Sequence, residues 1–325
     1  MVAITRGSAI QILLASATTN LPIDKDTNVK NEYSRYSPAS KFVRKEVQRI
    51  IEKGDPTLSG PILRLAFHDA TVRSISDSPW IGGADGSIRY ELDWSENRGL
   101  SKPLKVIEEI YELQNSIFQD DEYALSFADT LALSGAASVE AAKGPKIPIK
   151  LGRRDVDVAD SRFLDKSIES ESDRSTLTTS LPSAALDSLG LRNYFGRLGL
   201  SESEFVALSG AHDLGRHVTL TDMPRSCLRN LTRVCLENAP VLAPFIAKNP
   251  DTFSNTYFET LLRWNKRELE RGEAAFIPTD VAMVVDDGLK QYVEQFASDE
   301  ILFFREFKNA YQKVFETTAT TVWRY

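Results

Sequence analysis

Histidine is scarce in this chain of 325 residues: three stand against 39 lysines and arginines and 46 acidic residues. Cysteine is scarcer still. The pair Cys227 and Cys235 forms no disulfide framework; it closes one small loop or remains two buried thiols, and both readings stand. Asn230-Leu231-Thr232 between them matches a glycosylation triplet, a pattern that chance also supplies. No apolar run is long enough to span a bilayer. No glycine-rich phosphate loop follows a strand, and no segment repeats. Without a nucleophile–histidine–acid motif, a zinc or hydrolytic site has little to stand on. The formal charge of −7 argues against nucleic acid or an anionic membrane as a partner.

What is there is the composition of a globular protein, 42% hydrophobic and 26% charged. The length allows a large core, as one domain or two lobes. Residues 1–37 read as an extension, polar after Leu21. A short apolar run from Ala9 and the triplet Ala15-Ser16-Ala17 fit a targeting segment; a packed or disordered arm explains them equally. Helical periodicity begins at Ser37-Pro38, with Val43, Val47, Ile50 and Ile51 on one stripe and Gly54-Asp55-Pro56 as the stop. Residues 71–99 read as a structured loop. Helices are predicted from Leu100 to Ile117, Tyr123 to Ala142, Ala184 to Leu198, Glu202 to Ser209, Tyr257 to Glu270, Leu289 to Phe296 and Glu300 to Phe315. The last carries Phe304, Phe307, Tyr311 and Val314 on one stripe. Residues 153–181 read as a surface excursion and 219–250 as irregular. With little β-type alternation, the fold class is all-α.

Two of the three histidines lie in segments that answer one another. Pro61-Ile62-Leu63-Arg64-Leu65-Ala66-Phe67-His68-Asp69-Ala70 is apolar except for Arg64, His68 and Asp69. Four residues at about 100° each put Arg64 and His68 on one helical face. A cation and an imidazole side by side in an apolar wall are costly to bury without a purpose. Such a pair suits a site that deprotonates a small polar molecule and stabilises the resulting negative charge. A hydrogen-bonded core histidine, beside an arginine paired with a carboxylate, is the plain alternative. The second segment, Ala207-Leu208-Ser209-Gly210-Ala211-His212-Asp213-Leu214-Gly215, changes the balance.

Arg-x-x-Phe-His-Asp at 64–69 followed by Ser-Gly-Ala-His at 209–212 resembles the plant-type haem peroxidase superfamily. The likeness extends to Gly-Gly-Ala-Asp-Gly-Ser-Ile-Arg at 82–89, Asn97-Arg98-Gly99-Leu100, Ser126-Phe127-Ala128-Asp129, Leu151-Gly152-Arg153-Arg154-Asp155 and Pro278-Thr279-Asp280. It leans toward the class I ascorbate peroxidases and their plastid relatives. The resemblance implies an all-α, two-lobed domain over 38–325, with haem b between a distal lobe (38–150) and a proximal lobe (151–316). It implies reduction of hydrogen peroxide to water through a ferryl intermediate. Electrons would come from an unidentified small-molecule reductant, ascorbate-like or phenolic, and the protein would be a monomer or weak dimer.

On this resemblance His212 is the proximal ligand of the haem iron, and Asp280 accepts its other ring N–H. A helix N-cap is the plain reading of Asp280. His68 takes a proton from peroxide and returns it to the leaving oxygen. Arg64 stabilises charge along the breaking O–O bond, and Asn97 holds the His68 N–H and so fixes the tautomer. Phe67 stands where class I enzymes usually carry Trp, which the catalase-peroxidase branch uses for a cross-link, so strong catalase activity is not expected. Phe245 takes the place of a proximal Trp. His217 follows His212 by about 500° of helix, too far round to chelate with it, and its role stays open.

Asp69, Gly83, Asp85 and Ser87 match the distal calcium loop of fungal and secreted plant peroxidases, which class I enzymes normally lack. Their oxygens suit a hard cation, so calcium is expected; a loop held by its own Asx-turns is the alternative. Asp213 stands where most relatives carry the Thr of a second cation site. Thr221 replaces a donor-binding Arg of ascorbate enzymes, and Pro56 lies near the place of their Lys. The rival function is an inactive or haem-less accessory protein. Plastid (chloroplast stroma or thylakoid lumen) is the expected compartment, the secretory route second.

Overall fold

In the computed structural model, residues 37–71, 83–119, 124–156, 181–218, 242–264, 269 and 272–316 are described. The N-terminal extension, Thr221, the Asn230 triplet, Cys227 and Cys235 lie outside them.

Helix α1 (Pro38–Lys53) starts where Ser37 Oγ accepts the N–H of Ser40 at 3.2 Å, with Pro38 at the first position, where no N–H is needed. It stops at Gly54, where a Cβ would stand 2.5 Å from the oxygen of Ile50. Then come α2 (Ser59–Thr71), α3 (Ser101–Phe118) and α4 (Phe127–Ala141). Ser126 caps α4 by accepting the Asp129 N–H at 3.0 Å. Every α4 residue except Glu140 is buried, which explains its alanines, serines and lone glycine. A Cβ at Gly135 would lie 2.7 Å from Ala66 Cβ and 2.2 Å from the Tyr311 hydroxyl, so a larger residue would force α4 away from its neighbours.

The second half comprises α5 (Ser188–Arg197), α6 (Glu202–Ser209) with its 3-10 continuation Gly210–Asp213, and α7 (Thr256–Leu261). It closes with α8 (Pro278–Val285), α9 (Asp287–Ser298) and α10 (Glu300–Glu316). A capping box opens α6: Ser201 Oγ accepts the Glu204 N–H while Glu204 Oε2 accepts the Ser201 N–H. Between α6 and α7, β1 (Arg216–Val218) pairs antiparallel with β2 (Leu242–Pro244), Arg216 opposite Pro244.

The helical reading holds, with local differences. Helix α7 ends at Leu261, well short of Glu270, because Arg263 N–H and Trp264 N–H bond back three residues, to Thr260 and Leu261, and tighten the chain into a turn. Helix α5 starts at Ser188 and not Ala184, since Asp187 Oδ1 caps the Gly190 N–H at 2.8 Å. Helix α8 has only eight residues, too short for its period to stand out. In α10 Phe303 is fully buried like Phe307, while Phe304 of the expected stripe is only partly buried.

Helices α1–α4 pack on one another, and α6–α10 pack largely around α9, with α5 against α8. Phe253, Phe258, Phe303 and Phe307 fill the second group, with Phe258–Phe303 and Phe253–Phe307 centroids at 4.9 and 4.7 Å. Helix α10 also reaches α2, and Tyr311 donates to the Ala132 carbonyl in α4 at 3.0 Å. A buried ion pair adds register: Arg153 Nη1 meets Asp129 Oδ1 at 2.9 Å, and its Nη2 donates to the Phe315 carbonyl. Backbone meets backbone at Gly60, where a Cβ would come within 2.2 Å of the Leu214 carbonyl. The start of α2 thereby abuts the backbone just after His212. His68 stands eight residues on, about 12 Å along the helix. No helix among the described residues is long and apolar enough to cross a membrane.

Candidate active site

Arg64 and His68 sit one turn apart on α2, and the three consecutive residues Glu96, Asn97 and Arg98, at and just after the tight turn Ser95–Asn97, hold both. Arg64 donates through Nη1 to the Arg98 carbonyl at 2.8 Å and through Nη2 to the Glu96 carbonyl at 2.6 Å. Asn97, between those two residues, reaches His68: its Oδ1 lies 2.7 Å from Nδ1. The amide orientation follows from its other end, where Nδ2 donates to the Glu91 carbonyl at 2.8 Å. Asn97 therefore accepts from the imidazole, Nδ1 carries the proton, and Nε2 keeps its lone pair. Gly99, at φ 77°, supplies the left-handed step after this turn.

Burial, ahead of the neighbouring Arg64 charge, pushes the His68 pKa down to about 3, against an upward pull from Asn97. The ring is neutral at neutral pH. Solvent reaches Arg64, yet protein crowds it so closely that burial, ahead of Arg98, pushes its pKa down to about 10. With its pKa at about 10 the guanidinium stays charged at neutral pH. Phe67 is half-buried, its ring edge-on to His68 at 6.3 Å.

His212 sits in the 3-10 turn after α6, half-exposed, with its Nδ1 2.8 Å from Asp280 Oδ1. Asp280 is fully buried and is the third residue of α8, where its Oδ2 accepts the N–H of Ile277, the residue at the N-cap, at 2.9 Å. The N-cap position belongs to Ile277 and not to Asp280, which supports the start of the helix from inside its first turn. Phe245 stacks on His212 with centroids 4.3 Å apart and planes at 10°. The β1–β2 ladder brings it there, and Gly215 leaves the room: a Cβ at that glycine would meet the Phe245 ring at 2.9 Å. Tyr257, from α7, donates its hydroxyl to Asp280 Oδ1 at 2.7 Å. Burial, then Asp280, raises its pKa well above the usual phenol value.

The third cluster is the loop at 83–90. Asp69 Oδ2 accepts the Gly86 N–H and Oδ1 the Ile88 N–H, both at 3.1 Å, while Asp85 Oδ1 accepts the Ser87 N–H at 3.1 Å. Asp69, Gly83, Asp85 and Ser87 are all buried. Burial, then Asp85 and Glu91, raises the Asp69 pKa well above the carboxylate range. Among the described residues no group of three or more His, Cys, Asp or Glu is arranged to hold a metal ion. Asp213 accepts from the Ser254 N–H and hydroxyl at 2.7 and 3.0 Å, and burial pushes its pKa up to about 7. His217 contributes backbone to β1, opposite Ala243.

Sequence reasoning missed Tyr257 and the carbonyls that grip Arg64. Tyr257 left one trace: a tyrosine in an apolar helix stripe needs a partner for its hydroxyl once buried.

A family model described as Peroxidase matches residues 43–299. The chain belongs to the peroxidase family. A protein named "Putative L-ascorbate peroxidase 6" from Arabidopsis thaliana is 30% identical over 279 residues, 85% of this peroxidase and 68% of that protein. A "Putative heme-binding peroxidase" from Cryptococcus neoformans is 30% identical over 293 residues, covering 84% and 77%. "L-ascorbate peroxidase T, chloroplastic" from Arabidopsis thaliana is 34% identical over 262 residues, covering 78% and 55%. This peroxidase is a plant-type haem peroxidase close to the ascorbate peroxidases, an oxidoreductase acting on hydrogen peroxide and a reductant.

Haem fits the residues present. His212 has one nitrogen tied to a buried carboxylate, an aromatic ring on one face and a partly exposed edge. Among the described residues no hydrogen bond occupies its Nε2. An imidazole so oriented presents Nε2 as the donor that an iron porphyrin takes.

Proposed function

We propose that this protein reduces hydrogen peroxide to water with haem b, using the Arg64–His68 face on one side of the haem and the His212–Asp280 pair on the other. One observation carries the reading, and both histidines share it. An oxygen acceptor holds each Nδ1, so each ring offers Nε2 alone. In this reading His212 Nε2 binds the iron, and Asp280 steadies the imidazole and raises its basicity. When bound, haem supplies the electrons for breaking the O–O bond.

His68 Nε2 accepts a proton from peroxide and hands it to the departing oxygen, which leaves as water. Asn97 keeps that nitrogen available by holding the proton on the other one. Arg64 retains its charge and stabilises the negative charge that develops as the bond lengthens. Phe67 lies edge-on to His68 and Phe245 stacks on His212, so each imidazole has an apolar ring beside it. Purified protein should bind haemin and change its absorption spectrum on adding peroxide. Protein that binds no haemin would instead support the inactive, accessory reading.

The reductant in this proposal is ascorbate or a small phenol. The names of the plant relatives support ascorbate, whereas Thr221 leaves the usual Arg missing. A donor panel under steady peroxide turnover separates them. Calcium belongs to the same proposal, favoured by the carboxylates of Asp85 and Glu91 bearing on Asp69, a charge concentration a cation would offset. Metal analysis after exhaustive dialysis tests it and a second cation at Asp213: no retained calcium and no effect of chelator on melting end both. The lobes at 38–150 and 151–316, a monomer or weak dimer, and a plastid address complete the proposal. The chloroplastic names among the relatives favour that address.

A further inference from the structure

Asp280 Oδ1 takes two hydrogen bonds, from His212 Nδ1 at 2.8 Å and from the Tyr257 hydroxyl at 2.7 Å. The carboxylate can only accept, so the phenol must donate. The other oxygen is held by the Ile277 N–H at 2.9 Å. Asp280 and Tyr257 are both fully buried, so no solvent shares the charge of the carboxylate, and its pull on His212 depends on the other donors around it. Tyr257 is also the only one of those donors that lies against the histidine itself, its ring edge-on to the imidazole at 5.9 Å and 84°. Four groups therefore form one closed unit: imidazole, carboxylate, phenol and a helix-terminal N–H. Phe245, stacked on the ring, has no polar atom on its side chain with which to join it.

We infer that Tyr257 is a positioning residue that sets the electron-donating strength of His212 by competing with it for Asp280 Oδ1. With the phenol in place the carboxylate oxygen is shared between two donors, its bond to Nδ1 is weaker, and His212 donates less strongly to a bound metal. Without it, Asp280 draws on His212 alone and the ring gains imidazolate character, which favours ferric over ferrous iron. This rests on the reading of His212 as the iron ligand.

The test uses the haem-loaded protein and two readouts other than turnover: the ferric–ferrous midpoint potential, and the iron–histidine stretching band of the ferrous form. Tyr257→Phe should strengthen the preference for ferric iron about tenfold, about 59 mV more negative for a one-electron couple, and raise the frequency of the band. In an Asp280→Asn background the same substitution should move neither. Unchanged potential and band in Tyr257→Phe, even with a lowered melting temperature, would reduce Tyr257 to a packing residue and overturn the inference. Should that variant fail to hold haem, 3-fluorotyrosine installed at position 257 donates more strongly and should shift both readouts the opposite way; no shift overturns the inference. Absence of the band from the parent protein would instead remove the reading of His212.

Discussion

Acid is the sharpest probe of the His68 site. The ring is held neutral by burial and by Arg64, with its pKa down at about 3 against an ordinary 6.5. At pH 5 a group with a pKa of about 3 is about 1% protonated, while one of about 6.5 is about 97% protonated. If His68 Nε2 is the base, the second-order rate of reaction with peroxide should change less than about twofold between pH 7 and pH 5. An unperturbed histidine would cost about 25-fold over the same range. Stability behaves differently. Between pH 6.5 and 3 the unfolded chain binds a proton at His68 that the folded chain refuses, so this contribution to stability is present above 6.5 and is withdrawn as pH falls. The loss is about 1.4 kcal/mol per unit, or about 2 kcal/mol at pH 5. The measurement is therefore a stopped-flow pH jump, with the Soret change followed before the protein responds. Arg64→Leu removes the smaller of the two depressing causes and should move the acid limb upward without restoring 6.5. An acid limb centred between pH 6 and 7 in the parent protein would refute the argument.

Other outcomes follow from the same geometry. His68→Leu should slow the peroxide reaction by about 10²–10⁴ while haem stays bound, read by stopped flow and by the unchanged Soret intensity. His212→Ala should cost haem affinity first, measured by haemin titration, with exogenous imidazole restoring binding. Gly60→Ala drives a methyl group into the Leu214 carbonyl and should cost about 1–3 kcal/mol, visible as a lowered melting temperature in the haem-free protein as well as the loaded one.

The distal pair was legible because a four-residue spacing in an apolar segment has one meaning on a helix, and α2 is a helix over both residues. His212 was legible from its segment motif. Its setting was not, since a 3-10 turn and a three-residue ladder leave no periodic trace. Asp280 was legible as the partner of the histidine but not as a cap: the N-cap is Ile277, whose N–H the second carboxylate oxygen binds from three residues on. Tyr257 showed only that its hydroxyl needed a partner, not which one, and for a physical reason. Its importance lies in a contact across 23 residues, which neither spacing nor composition encodes. The loop at 83–90 shows the opposite case, in which the residue types suggested a cation and the backbone amides also satisfy the same carboxylates.

The Gly60–Leu214 seam ties the fates of two chemistries. Because the front of one helix is wedged directly against the main chain that follows the other histidine, neither can drift without dragging its counterpart. Warming this enzyme should then extinguish porphyrin retention and oxidant reactivity at one shared temperature, so that a population grown sluggish toward peroxide while still gripping its pigment never accumulates.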